Sequence, residues 1–186
     1  MRVRLFLVPV LLFALSTCCS FAQVNRPIIK SKPDAPLQIT EAHCGQNPPG
    51  SPAEGTSYCH ATLQFVGTDD TWDGYGLRWI LTFEDGKKYP HYHRADRSLP
   101  QPFQPREIVD VGGNGEYGWT WFSTKDRNGK TLRLTDAEVE VEFVINTNGT
   151  VWGDSKSPRY LQMYLQMLQF RLIDAIENAK RMPRKD

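Results

Sequence analysis

The chain lacks the usual marks of an enzyme. It has no Gly-x-Ser-x-Gly elbow, no His-Glu-x-x-His helix and no phosphate-binding glycine loop. It lacks surplus charge as well, with 22 Lys and Arg against 21 Asp and Glu. Without a basic excess to exchange for counterions, nucleic acid is not an expected partner. Long apolar runs are scarce. Leu5 to Leu15 is the main one, broken by Pro9, and it is too short to span a bilayer. Cysteine is scarce too: of four, Cys18 and Cys19 lie beside that run, leaving Cys44 and Cys59 in the body.

What is present at the N-terminus fits export. Arg2 and Arg4 precede the apolar run, and Ser20-Phe21-Ala22 offers a small-x-small cleavage site before Gln23. Residues 1–22 therefore read as a signal peptide, and the mature chain as periplasmic or extracellular. The alternative is a lipoprotein anchored at Cys18, because Leu15-Ser16-Thr17-Cys18 approaches a lipobox. Removing residues 1–22 takes away two arginines and no acid, moving the net charge from +1 to −1. No transmembrane segment is expected in the mature part.

In an exported chain, two remaining cysteines usually pair, so Cys44 and Cys59 are expected to form a disulfide across a Pro/Gly/Ser loop. Zinc thiolates would need closer spacing or a second cysteine pair. His43 and His60 flank the bridge and read as exposed bystanders.

Residues 23–42 carry three prolines and read as an extended linker. From 43 to 156 the pattern is that of short strands. Tyr58–Val66 and Tyr75–Phe83 alternate apolar and polar residues, Asp85-Gly86 signals a hairpin, and Pro90 marks an edge strand. In Ala137–Ile145, Val139, Val141, Phe143 and Ile145 are expected on one face and Glu138, Glu140 and Glu142 on a solvated one. The fold class expected is mainly β: an antiparallel sandwich with one C-terminal amphipathic helix over 157–182. Ser157 and Pro158 open that helix and Pro183 lies beyond it. Its stripe of Leu161, Leu165, Leu168, Leu172, Ala175, Ile176 and Ala179 is expected to pack on the sandwich. Tyr160, Met163, Met167 and Phe170 then need a further contact: a loop, the linker, or another subunit in self-association.

The segment VEFVINTNGTVWGD, residues 141–154, resembles the strand–turn–Trp-Gly part of uncharacterised exported immunoglobulin- or fibronectin-like domains of acidobacteria-type soil bacteria. YGLRWILTFEDGKK and FQPREIVDV resemble other parts of those domains, over about residues 57–156. Arg106 stands where a Gly often follows the Pro, and Asn148 where Asp is common. The resemblance implies a sandwich fold and brings no activity or site residues.

Three uses remain open. A non-enzymatic binding or structural module, with an unidentified protein or glycan partner and no cofactor, is the leading reading. A carbohydrate-binding module would present indole faces, with Trp72, Trp121 and Trp152 as candidates. A metal binder would use His91 and His93, which share a strand face at i and i+2, with His60 as a third ligand. The acids of the stretch GTDDTWDG do not follow a calcium-loop spacing.

Overall fold

A computed structural model describes residues 26–47, 50–67, 70–97, 101–112 and 120–181. The expected signal peptide and Cys18 lie outside them. Nine strands precede one helix: β1 (Ile28–Lys30), β2 (Leu37–Gln46), β3 (Thr56–Phe65), β4 (Trp72–Phe83), β5 (Lys88–Asp96), β6 (Ile108–Val111), β7 (Thr120–Ser123), β8 (Leu134–Asn146), β9 (Val151–Gly153) and α1 (Pro158–Arg181). They form a mainly β structure with two sheets. One has the order β1-β8-β4-β5, with β9 also on β8; the other has β2-β3-β6, with β7 also on β3. Pairing is antiparallel except between β1 and β8, which run parallel.

Part of the stretch read as a linker is strand. β1 occupies 28–30, and β2 begins at Leu37, which is fully buried; Ile39 and Ala42 are buried as well. The prolines at 27, 33 and 36 lie outside these ladders, so they punctuate strands without interrupting them. One core joins inward residues of both sheets, among them Leu37, Leu63, Phe65, Tyr75, Leu77, Trp79, Leu81 and Val139.

Strand β8 departs from simple alternation. Val141 pairs with Leu77, yet Phe143 pairs with Gly76, so Glu142 is an extra residue in a bulge. A one-residue insertion reverses which face later side chains take. Val139 and Val141 face the core between the sheets, as does Val144, while Phe143 and Ile145 turn to the outside of the sheet. The expected single face of Val139, Val141, Phe143 and Ile145 is thus split by the bulge. Gly76 is needed opposite it, because a Cβ there would come within 2.5 Å of the Phe143 ring.

Phe143 and Ile145 make a small apolar platform, and α1 docks on it. The docking residues are Tyr160, Met163 and Met167, which are buried with that pair. The expected order of the two helix faces is therefore inverted. Leu161, Leu165, Leu168 and Leu172 are exposed, as are Phe170, Ile173 and Ile176. The physical reason is the size of the platform: two outward side chains match a three-residue cluster, and the long leucine stripe has no counterpart on the sheet. From Leu172 to Arg181 every residue of α1 is exposed. No helix among the described residues is long and apolar enough to cross a membrane.

Candidate functional site

The disulfide lies inside one sheet. Cys44 faces Cys59 across β2 and β3, and His43 faces His60 in the next pair. The cysteines are buried at 0% and 1% exposure. The imidazoles lie on the opposite face, half-buried and stacked with centroids 4.6 Å apart, which corrects their expected exposure. Burial lowers the His60 pKa, followed by the field of His43; Asp110 and Glu41 oppose the shift.

The proposed metal set is not assembled. His91 and His93 lie on β5 of one sheet, and His60 on β3 of the other. Among the described residues no three His, Cys, Asp or Glu side chains are grouped to hold an ion. The pairings His91–Trp79 and His93–Leu77 carry both histidines toward the apolar interior rather than into solvent. Burial holds His91 below its usual pKa and pushes His93 down to about 4. The His93 Nε2 is buried and has no hydrogen-bond partner among the described residues.

Of the three candidate indoles, the side chains of Trp72 and Trp152 are described, and Trp72 has no exposed face to offer. Trp72 is 2% exposed and stacks on Phe65. Trp152, on β9, is half-buried; its Nε1 donates to Asp34 and Lys32 lies over its ring. Trp121 pairs with Tyr58 through the β7 backbone, and its side chain lies outside the described part.

The row Glu138, Glu140 and Glu142 is not the solvated edge expected. Each carboxylate meets cations: Lys30 and Lys88 at Glu138, Arg78 at Glu140, and Arg159 at Glu142. Alternation alone places acids on a face and cannot show which basic residues cross it.

Where α1 meets the sheet there is a cleft of about 210 Å³, lined in part by Gly76, Tyr92, Arg94, Glu142, Arg159 and Gln162. Its charged groups already have partners. Glu142 accepts from Ser157 Oγ and pairs with Arg159, whose guanidinium lies over Tyr92; Arg94 donates to Gln166. These contacts fasten the helix start to β5 and β8. A second fastening is Arg171 to Asp73, one of the acids considered for calcium; Asp69 lies outside the described residues. Nothing in the spacing of residues 73 and 171 announces that pair.

The remaining candidate is the outer face of α1. Leu161 is 48% exposed, Leu165 65%, Leu168 42% and Leu172 63%. Isolated exposed leucines are ordinary; a contiguous row on one element marks a contact surface.

No protein-family model matches the chain, and no curated protein matches it. Among solved structures, a hypothetical protein from Peptoclostridium difficile 630 is similar at 11% sequence identity, with 71% of this chain and 92% of that one covered and a TM-score of 0.39.

Proposed function

We propose that the chain is an exported, non-enzymatic binding or structural module of a bacterial envelope or exterior. Its two sheets form an immunoglobulin- or fibronectin-like sandwich, and it works through the outer face of α1. The observation that carries this reading is the leucine row on a helix whose opposite face is already docked. Such a row costs solubility unless something covers it. The leader before Gln23 and the Cys44–Cys59 bridge support export. The glycan reading is left with little, since Trp72 is in the core. The metal reading fares no better, since its three histidines are divided between sheets.

Two measurements test the proposal. Fractionation with intact mass should find a chain beginning at Gln23 outside the cytoplasm. Chemical cross-linking in the producing cells should trap the chain in an assembly, and Leu165→Glu with Leu172→Glu should abolish that product without lowering the amount of folded protein. Equal trapping of parent and variant would remove the outer face from the function. A turnover of any substrate that one point substitution abolishes would overturn the non-enzymatic assignment.

A further inference from the structure

We infer that the occupant of the exposed stripe is a second copy of the same chain, bound antiparallel so that the two α1 helices form a two-stranded seam. This rests on the reading of the outer face as a contact surface and names its partner.

The spacing of the stripe is the first argument. Leu161, Leu168 and Ala175 follow one another at seven residues, and so do Leu165, Leu172 and Ala179. Two interleaved seven-residue series are the pattern of knobs entering another helix. The seam runs roughly 27 Å along the axis, from the rise per residue of an α-helix.

The large and small residues then set the direction. Four leucines occupy the first part of the seam and two alanines the last, with Ile176 at its border. A parallel pair would stack leucine on leucine and leave a gap where alanine meets alanine. An antiparallel pair, with its two-fold between positions 168 and 172, sets Leu161 opposite Ala179, Leu165 opposite Ala175 and Leu168 opposite Leu172. Large residues then face small ones along most of the seam, in a closed isologous contact.

The anchoring of α1 fits the same arrangement. Its first half is held by Tyr160, Met163 and Met167 and by the Arg171–Asp73 pair, while residues 172–181 are all exposed. An exposed helical stretch of that length is marginal in water. In the antiparallel pair, the exposed half of one helix lies along the anchored half of the other.

Charge disfavours a lipid surface. A helix lying on anionic lipid carries a row of Lys and Arg beside its apolar face. Here the borders are Gln162, Gln169 and Ile176 on one side and Tyr164, Arg171 and Asn178 on the other, and Arg171 is engaged by Asp73. Neutral borders also put little like charge across the seam.

The test uses the purified chain from Gln23 to Asp186. Sedimentation equilibrium should show the mass rising to twice the monomer value across micromolar concentrations. Leu165→Glu with Leu172→Glu should stay monomeric and melt where the dilute parent melts. Oxidation of Leu161→Cys alone should give no covalent dimer, and Leu161→Cys with Ala179→Cys should give one. A parent that is monomeric at every concentration overturns the inference, as does a glutamate variant that still dimerises; a linked Leu161→Cys single variant overturns the antiparallel direction. A monomeric parent whose in-cell cross-link still depends on Leu165 and Leu172 would leave the contact surface standing with another occupant. If the chain retaining residues 1–22 alone is monomeric, the N-terminal apolar run is that occupant.

Discussion

Arg171 of the helix pairs with Asp73 at the start of β4, where the carboxylate is 1% exposed and the guanidinium side chain about a third exposed. The Asp73 Oδ1 has no hydrogen-bond partner among the described residues. The pair is thus one-sided: the acid depends on a single cation reaching it from the solvent side. Removing one partner of a buried pair leaves an uncompensated charge. Arg171→Met should lower stability by roughly 3 kcal/mol, the low end for such pairs because water reaches the guanidinium. Asp73→Asn added to Arg171→Met should restore most of the loss. Urea melts of the three proteins check this, and equal losses in the single and double variants would show that the charge is not what matters.

The two faces of α1 should answer differently to truncation. Met163 is 1% exposed and Leu165 65%. Met163→Ala should cost about 2–5 kcal/mol, the range for emptying a packed site. Leu165→Ala should stay within about 0.5 kcal/mol in the monomer, as for a surface change. Melts at a concentration low enough to keep the chain monomeric read both. The opposite ranking would restore the leucine stripe to the sheet.

The strands were largely legible in the sequence because alternation is written residue by residue. Cys59, Ala61, Leu63 and Phe65 are all inward, and so are Leu77, Trp79, Leu81 and Phe83. The cysteine pairing was legible from the cysteine count and the export expected from the leader. The helix was legible as an element, from its period and its N-cap; its orientation was not. That depended on the bulge at Glu142, which turns Phe143 and Ile145 outward and makes a platform fitted to methionines. A bulge leaves no mark in alternation, since apolar residues at 139, 141, 143 and 145 read as one face with or without it. The strands within the linker were hidden by the prolines that flank them, since proline density is also the mark of an extended linker. The placement of the histidines was hidden for another reason: i and i+2 spacing shows that two histidines share a face, not which face is wet.

Acid should weaken the fold through His93 before the carboxylates titrate. Burial pushes its folded pKa down to about 4, below the usual 6.5, so the unfolded chain binds the proton more readily. Its contribution is fully present above pH 6.5 and is lost as pH falls toward 4, amounting to about 3 kcal/mol. His60 and His91 are lowered as well and act in the same direction. Stability measured by urea melts from pH 7 to pH 4.5 should decline, and His93→Phe should flatten much of that slope. An unchanged slope would place the pH sensitivity elsewhere.

The disulfide should contribute through the loop it closes. Cys59 lies 15 positions after Cys44. Closing a loop of that size restricts the unfolded chain by roughly 3 kcal/mol. The chain from Gln23 should show no free thiol before reduction and two after it, and its melting temperature should fall on reduction. Cys44→Ala with Cys59→Ala should match the reduced protein, because two small apolar side chains replace a buried bridge and leave no polar group stranded.

Arg106 is the described non-glycine residue with a positive φ, at 64°. It follows Pro105 in the turn that leads into β6, and its backbone N–H donates to the Phe65 carbonyl at 3.0 Å, which fixes the turn against the end of β3. The left-handed region places Cβ close to the following carbonyl and costs an L-residue roughly 1–2 kcal/mol. Glycine has no Cβ and escapes that cost, although it gives up about 0.5–1 kcal/mol of unfolded-chain entropy on folding. The first effect exceeds the second, so Arg106→Gly should raise stability by about 0.5–1 kcal/mol. Arg106→Val should lower it, because a β-branched residue is the least suited to positive φ. The β6 register, Ile108 to Val111 against Ala61 to Gln64, should be unchanged in the glycine variant. Melts and amide exchange of β6 check both points, and a glycine variant less stable than the parent would mean that the Arg106 side chain stabilises the turn by more than its backbone strain costs.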